Sequence, residues 1–334
     1  MVYEYKLIVS QQDIPYWHLR PLKTIATQMN LYVRMEDGDE HDDIEHWLDK
    51  NFENPAAPVL DKICEGKTLS TSEWCTLIDY AISQYVRTPA FYQYIMEIGK
   101  KKVPEVLEEV TGSLANLSEE DIMNHKPRTE LGSNLMPLSF KNTGIHPDDK
   151  HTILEIGTVI GKSTWLNAME YFLSPNSEVN RFFHSLKWSI VYASDFLKWP
   201  TSDNPFTITK CNKSRGFEVI HNGGVGHKKV TVFFPISPEL LLIGTRNRKY
   251  KRCFTADKKL ADIIRRCLID NAFMYVYSNH KDEYVTNYRS RIVNMKMYKR
   301  IEAEYNDWYD KYKEIEAPLL SSKYIITNPN CSEK

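Results

Sequence analysis

The chain lacks several features that define common protein classes. No apolar run approaches the roughly 18 residues that span a bilayer, and Met1–Lys6 does not have the basic-then-apolar order of a signal peptide. Its six cysteines form no CxxC pair and no zinc-ligand spacing with histidine. The formal net charge is only -1, so no strong global field is expected. These absences predict a cytoplasmic protein with reduced thiols and no membrane contact.

A complete catalytic or cofactor fingerprint is also lacking. Residues 157–164 read Gly-Thr-Val-Ile-Gly-Lys-Ser-Thr, with three residues between the glycines where a phosphate loop has four. We therefore expect a glycine-containing turn that leads into a helix. His221 and His227 flank an Asn-Gly loop that is typical of a hairpin tip.

The composition and the patterning that are present predict the architecture. The chain has 334 residues, of which 42% are hydrophobic and 26% charged, as in a globular protein with two lobes. Residues 1–130 show mainly helical periodicity, whereas residues 131–334 contain β-prone runs before long terminal helices. These patterns predict an α+β fold in which an N-terminal helical lobe packs on a small antiparallel sheet flanked by C-terminal helices.

Individual elements follow from caps, prolines and periodicity. Ser70 and Glu73 form a capping box for a helix that Pro89 should break after Thr88. Residues 111–150 are predicted to be a connecting region. The other predicted helices cover residues 59–64, 162–172, 178–186, 257–277 and 281–314. The predicted strands cover residues 3–10, 188–193, 206–209, 217–220, 230–234 and 240–244.

The most distinctive polar stretch is the turn that contains Asp203 and Asn204. Pro205 forces Asn204 out of helical geometry, so the carboxylate and the amide are presented on a fixed edge. Such a pair can orient a water or stabilise developing charge, and it can equally be a turn former with no chemistry. Arg87, just before the predicted break, can clamp a phosphate or pair with an acid such as Asp203.

Metal binding is a further interpretation of the acidic residues. Glu45 and Glu53 lie eight positions apart and would share one face of a continuous helix. Together with Asp203, Glu53 would offer the hard oxygen ligands that suit Mg²⁺. The alternative is a solvated acidic face at the start of a helix.

A basic run is the clearest interaction signal. Nine basic and two acidic residues lie between Arg246 and Arg266. Its first members are Arg246, Arg248, Lys249, Lys251 and Arg252, with Tyr250 between them. Cations next to an aromatic ring suit phosphate contacts and base stacking, so this run is a candidate nucleic-acid-binding surface. A merely solvated loop is the alternative.

Several short segments in a fixed order carry a family resemblance. They are Ile14–Arg20, Ile44–Glu53, Val59–Ile63, Gln84–Pro89, Thr201–Pro205, Phe234–Pro238 and Ile269–Ser278. With these segments the chain resembles the bacterial family Domain of Unknown Function 4238. The resemblance implies a shared fold and a shared site but supplies no reaction. Gln12 and Asp13 stand where the family usually has a His-Tyr pair, so any base supplied by that histidine has been lost or replaced here.

The leading hypothesis is a bacterial enzyme that acts on nucleic acid or a nucleotide, as a metal-dependent nuclease or a toxic effector in defence. The basic run would hold the polyanion, Arg87 would clamp a phosphate, and Asp203 with Asn204 would position the attacking water. The alternative is a non-catalytic sensor or protein-interaction module. The aromatic stripe of the predicted 281–314 helix would dock on the body, on a second subunit or on a partner protein.

Overall fold

The computed structural model describes residues 1–25, 32, 34–36, 39–41, 43–114, 138–145, 151–158, 162–194, 197–212, 216–221, 227–246, 250–310 and 320–327. The chain divides into two compact units. Unit 1 combines Met1–Phe91 with Phe172–Asp307, and unit 2 combines Tyr92–Tyr171 with Trp308–Lys334. The predicted lobe boundary at residues 130–131 lies outside the described residues, so that division stays a prediction.

Helices and mostly antiparallel strands occur together, which confirms the predicted α+β class. The strands are β1 Val2–Lys6, β2 Ile8–Val9, β3 Trp17–Arg20, β4 Arg34–Glu36, β5 Asp39–His41, β6 Leu138–Ile145, β7 His151–Thr158, β8 Lys187–Tyr192, β9 Thr201–Ser202, β10 Thr207–Asn212, β11 Gly216–Val219, β12 Val230–Pro235, β13 Leu240–Thr245, β14 Cys253–Thr255, β15 Tyr275–Ser278, β16 Ile292–Val293 and β17 Leu320–Thr327.

The helices follow the caps and prolines of the sequence. They are α1 Asp43–Leu48, α2 Asn54–Cys64, α3 Thr71–Val86, α4 Pro89–Leu114, α5 Lys162–Leu173, α6 Glu178–Ser185, α7 Lys258–Asn271, α8 Glu283–Tyr288 and α9 Met295–Asp310. Ser70 and Glu73 form the predicted capping box of α3, and the chain breaks between Val86 and Pro89 as expected. None of the described helices is long and apolar enough to cross a bilayer.

A π-helical segment, Asp49–Glu53, joins α1 to α2. Pro55 and Pro58 have no N–H group, so they cannot bond to the carbonyl groups four residues earlier. The chain stays helical through both prolines, which corrects the prediction of a separate helix over residues 59–64. Because the π segment has a wider turn than an α-helix, it changes which side chains share a face.

The larger sheet of unit 1 has six strands in the order β11-β10-β12-β13-β8-β14, and only the β14–β8 pair is parallel. Ile264 and Leu268 of α7 pack on one face, against Phe233 and Ile243. Aromatic side chains of α3 and α6 cover the other face, where the Phe206 ring lies 5.2 Å from both Tyr85 and Phe183. Burial on both faces explains the continuous apolar runs of β12 and β13.

The smaller sheet has four antiparallel strands in the order β3-β1-β15-β9. One face carries Tyr5 and Val276 into a core that also contains Ile269 and Ile301. Since successive residues of a strand point to opposite faces, Glu4 and Lys6 lie on the other face. The register places Tyr277 beside Glu4 and Tyr275 beside Lys6. This second face is polar and aromatic.

Unit 2 contains a three-stranded antiparallel sheet in the order β17-β7-β6. Strand β6 lies within the segment that the sequence predicted to be a connecting region, so that prediction was wrong for residues 138–145. The helix predicted over residues 162–172 is present as α5. Residues 159–161 of the predicted glycine-containing turn lie outside the described residues, so the turn stays a prediction. Both described partners of β7 are antiparallel, unlike the parallel sheet of a phosphate-loop fold.

Three sequence predictions about unit 1 are corrected. The helix predicted over residues 257–277 ends at Asn271 and is followed by β15. The helix predicted over residues 281–314 is divided into α8, β16 and α9, and β16 pairs with β2. The segment from His221 to His227 does not connect a hairpin, because β11 and β12 both pair with β10 and not with each other.

Candidate functional site

A polar cavity of about 860 Å³ lies within unit 1, over the free face of the four-stranded sheet. Its volume is in the range of natural small-molecule sites. The wall is formed by α1, the π segment and the junction between α3 and α4. Four residues singled out from the sequence all line it: Glu45, Glu53, Arg87 and Asp203. The structure therefore brings together residues that are far apart in the chain.

The floor of the cavity carries charged groups that the sequence analysis did not select. Glu4, Lys6 and Arg20 project from β1 and β3. Glu4 is only 6% exposed, and its carboxylate makes no hydrogen bond or ion pair within the described part of the chain. Its carboxylate oxygens are not among the fully buried side-chain atoms that lack a partner, so they are accessible from the cavity. Glu4 is therefore a strong candidate for contact with a ligand.

Two tyrosines of β15 complete the floor. The rings of Tyr275 and Tyr277 are stacked, with centroids 6.2 Å apart and an interplanar angle of 13°. Lys6 Nζ lies 5.6 Å from the centroid of the Tyr275 ring. Burial, followed by the negative charges of Glu4 and Asp203, raises the pKa of Tyr275 to about 12. Tyr275 therefore keeps its proton at neutral pH and can donate a hydrogen bond.

Arg87 and Glu53 form an ion pair at the wall of the cavity. Both Nη atoms of Arg87 donate to Oε1 of Glu53. The Arg87 side chain is 14% exposed, and its guanidinium lies 5.6 Å from the centroid of the Tyr32 ring. Its Nε is buried and has no hydrogen-bond partner within the described ranges. Each Nη atom also carries a second N–H group, and these are the donors that Arg87 can offer to a ligand.

Asp203 holds the chain together just before β15. Its Oδ1 accepts the Phe273 N–H at 2.8 Å, and its Oδ2 accepts the N–H groups of Met274 at 2.7 Å and Tyr275 at 3.2 Å. Burial raises the pKa of Asp203 to about 6, although the three backbone donors act in the opposite direction. These bonds give Asp203 the structural role that the sequence had left as an alternative. Oδ1, with a single backbone donor, still has room for another partner.

The side chain of Asn204 does not line the cavity and bonds instead to the backbone at the end of α7. Its Nδ2 donates to the Asn271 carbonyl at 3.0 Å, and Asn271 Nδ2 donates to the carbonyls of Asn204 at 2.7 Å and Phe206 at 3.2 Å. The Nδ2 group of Asn204 therefore joins the polar turn to the end of α7, whereas its buried Oδ1 has no hydrogen-bond partner among the described residues. The predicted role of Asn204 in stabilising developing charge stays a prediction.

The described side chains do not form an evident metal centre. They contain no group of three His, Cys, Asp or Glu residues placed to hold an ion. Both oxygens of Asp203 accept backbone N–H groups, and Oε1 of Glu53 is paired with Arg87. Mg²⁺ bound by Asp203 and Glu53 stays a prediction.

The basic run lies elsewhere. None of Arg246, Lys251 and Arg252 lines the cavity. The Arg252 guanidinium lies 4.0 Å from the centroid of the Trp74 ring, and its Nη1 donates to the Trp188 carbonyl at 3.3 Å. Arg246 lies 5.6 Å from the Phe182 ring centroid and donates to the His227 carbonyl at 3.4 Å. Arg248 and Lys249 lie outside the described residues, so nucleic-acid binding by this run stays a prediction.

The departure from the family pattern is also remote from the cavity lining. Gln12 and Asp13 are exposed in the loop between β2 and β3. Arg291 holds this loop by donating to the Gln12 carbonyl at 2.7 Å and by lying 4.1 Å from the centroid of the Tyr16 ring. A histidine at this loop would therefore not lie among the residues that line the cavity.

A weak sequence signal could have revealed the floor residues. The alternation Tyr3-Glu4-Tyr5-Lys6-Leu7 places two charges on one face of a strand. Such a face is usually solvated. Only the packing of α1 and α3 around it makes it a cavity, and a strand pattern carries no information about that packing.

The comparisons with known proteins place the chain in a family without supplying a reaction. No curated protein and no solved structure matches it significantly. The family model DUF4238, described as a protein of unknown function, matches residues 4–282. This range contains every residue of the cavity floor and wall named above. With most of its length covered by that model, the chain belongs to the DUF4238 family.

Proposed function

We propose that the polar cavity binds a nucleotide, free or at the end of a nucleic-acid strand, and that the protein hydrolyses a phosphoester bond there. The observation that carries this proposal is the convergence of three cations, Lys6, Arg20 and Arg87, from separate elements into one cavity. Phosphate is the anion for which Arg and Lys side chains are best suited, because it accepts several charge-assisted hydrogen bonds at once.

The size and lining of the cavity favour a nucleotide over a long duplex. A space of about 860 Å³ accommodates one or two nucleotides. The faces of Tyr275 and Tyr277 offer a surface on which a base can stack. In this arrangement the cations hold the phosphate and the tyrosines hold the base.

The reaction needs a group that accepts a proton from water. Water attacks phosphorus, the bond from phosphorus to the leaving oxygen breaks, and the leaving oxygen takes up a proton. Glu45 and Asp49 line the wall as exposed carboxylates and can receive the proton of the attacking water. Asp203 can orient that water through the free lone pair of Oδ1. A positively charged Arg87 stabilises the charge that develops on the phosphoryl oxygens.

The test compares wild type with Arg87 variants. Purified protein is incubated with labelled single- and double-stranded RNA and DNA and with a panel of nucleotides, with and without Mg²⁺ or Mn²⁺. Arg87→Ala and Arg87→Lys should lose binding and turnover by at least about tenfold. Arg181→Ala, an exposed arginine of α6 outside the cavity lining, is the control. Thermal melting of each variant separates lost function from lost fold.

Two results would contradict this proposal. If wild type neither binds nor cleaves any of these substrates at low salt, the cavity is not a nucleotide site. If Arg246→Ala and Lys251→Ala weaken nucleic-acid binding while Arg87→Ala does not, the polyanion binds at the basic run instead.

A non-catalytic sensor is the second candidate. It is favoured by the use of Asp203 and Asn204, which hold the loop before β15 and the end of α7. Nucleotide binding in calorimetry without any turnover would support the sensor and reject the hydrolase. The exposed side chains of Tyr288, Ile292 and Met295 lie in the segment for which partner binding was predicted.

A further inference from the structure

We propose that the site selects guanine among the nucleobases and that the carboxylate of Glu4 is the selecting group. This assignment depends on the nucleotide site proposed above and adds to it the identity of the base. Glu4 lines the cavity and takes no part in the hydrolysis.

Glu4 has the environment of a ligand-recognition group. Its side chain lines the cavity, is 6% exposed and has no hydrogen bond or ion pair to any described residue. A carboxylate in such a place accepts hydrogen bonds and donates none. A carboxylate that lines a cavity and has no partner in the protein favours ligands that bring donors, because a ligand without donors displaces its water and leaves it unsatisfied.

The four common bases differ in the donors that their pairing edges offer. Guanine presents two adjacent donors, N1–H and the 2-amino group, which match the two oxygens of one carboxylate. Adenine and cytosine place a ring-nitrogen acceptor next to their amino donor, and that acceptor repels a carboxylate. Uracil and thymine flank their single N–H with two carbonyl oxygens. An acceptor-only side chain therefore prefers guanine.

The neighbouring residues suit this orientation. Tyr277 lies directly beside Glu4 in the β1–β15 ladder, and its ring is stacked on that of Tyr275. A base that lies against these rings can present its pairing edge to Glu4. Lys6 lies two positions along the same face of β1, where its cation can contact the phosphate of the same nucleotide.

The experiment is isothermal titration of the full chain with the 5′-monophosphates of guanosine, inosine, adenosine, cytidine and uridine. Guanosine monophosphate should bind at least about tenfold more tightly than the adenosine, cytidine and uridine compounds. Inosine monophosphate retains N1–H but lacks the 2-amino group, so it should bind with intermediate affinity. Glu4→Gln should abolish this preference, whereas Glu4→Asp should keep part of it. Glu65→Gln, an exposed site outside the cavity, is the matched control.

The outcomes separate the two proposals. Equal binding of all five nucleotides, or a guanine preference that survives in Glu4→Gln, overturns the role of Glu4 and leaves the nucleotide site standing. Binding of none of the five overturns the nucleotide site and the base selection with it. Loss of the preference in a Glu4→Gln variant that melts like wild type supports the assignment.

Discussion

Asn204 and Asn271 bind each other's backbone, although they are 67 positions apart in the chain. Each side-chain amide donates to the carbonyl of the other residue, at 3.0 Å and 2.7 Å. This reciprocal pair fixes the polar turn after β9 to the last residue of α7. It also lies directly beside Asp203, which lines the cavity.

Asn271→Ala should therefore destabilise the fold strongly. The substitution removes two bonds made by the Asn271 amide and leaves the buried carbonyls of Asn204 and Phe206 without that donor. We expect the free energy of unfolding to fall by about 2–4 kcal/mol in chemical denaturation. Asn51→Ala, which removes an exposed amide bonded to the Trp47 carbonyl, should cost less than about 1 kcal/mol. An equal loss of unfolding free energy in Asn271→Ala and Asn51→Ala would contradict a special role for the Asn204–Asn271 pair.

Glu53→Gln should strengthen anion binding in the cavity. Glu53 occupies both Nη atoms of Arg87, so it competes with any phosphate for that guanidinium. Loss of its charge should tighten phosphate or nucleotide binding by up to about fivefold, since a part-exposed ion pair contributes about 1 kcal/mol. Calorimetry with inorganic phosphate measures the change. If Glu53 is instead a metal ligand, the variant will lose metal-dependent activity without a gain in affinity.

Titration of Asp203 should lower the free energy of unfolding as the pH rises, which is the opposite of the usual effect of a carboxylate paired in the folded state. Burial raises its folded-state pKa to about 6, above its ordinary value of 3.8, so the folded protein binds the proton more tightly. The resulting stabilisation is complete below about pH 4 and is lost as the pH rises through 6. Each pH unit between these values should change the free energy of unfolding by up to about 1.4 kcal/mol.

The measurement for Asp203 compares wild type with Asp203→Asn from pH 4.5 to 7.5. Asp203→Asn loses hydrogen bonds, so its free energy of unfolding should be lower than that of wild type at every pH. Because asparagine does not titrate, this free energy should not change with the protonation of residue 203. Wild type should therefore lose stability relative to Asp203→Asn as the pH rises from 4.5 to 6.5. Parallel curves would show that Asp203 does not titrate in this range.

Gly244→Ala should disturb the centre of the larger sheet. A Cβ at Gly244 would lie 2.7 Å from Cζ3 of Trp188, whose ring is buried. We expect a loss of about 1–3 kcal/mol in the free energy of unfolding, because the packed core cannot easily move aside. Gly216→Ala is the comparison: its φ of +75° is unfavourable for alanine, but nothing lies within 4 Å. It should cost about 1 kcal/mol.

Alanine substitutions of Arg252 and Lys251 should differ in their effect on the free energy of unfolding, because Arg252 packs against the protein and Lys251 is a surface charge. Arg252→Ala removes a guanidinium that lies over Trp74 and should lower the free energy of unfolding by about 1–2 kcal/mol. Lys251→Ala changes an exposed side chain and should stay within about 0.5 kcal/mol of wild type. Equal destabilisation by the two substitutions would contradict the packing role of Arg252.

Local sequence signals predicted the parts of the fold that depend on local physics. The capping box of Ser70 and Glu73 and the break before Pro89 are confirmed because caps and prolines act within one turn. The end of α7 at Asn271 was missed because the bonds that hold the following loop come from Asp203, far back in the chain. Helical periodicity alone cannot detect a donor or acceptor supplied by a distant strand.

In the candidate site too, residues marked by local sequence signals were predicted and residues that depend on distant packing were missed. Arg87, Glu53 and Asp203 stood out because each lies beside a proline break or in an acidic or polar segment. Glu4 and Lys6 were overlooked, since alternating charges on a strand usually face water. Their place in a cavity arises from helices that follow in the chain and wall that face of the sheet.

Strand β1 has consequences for how the protein is made. It pairs with β3 immediately and with β15 only after Tyr275–Ser278 has been synthesised. One edge of β1 is therefore left open while most of the chain emerges from the ribosome, which favours slow folding and exposes the nascent chain to aggregation. Glu4 and Tyr277 meet across that same edge. Any ligand that contacts both would bind only the finished fold and would therefore stabilise it by mass action.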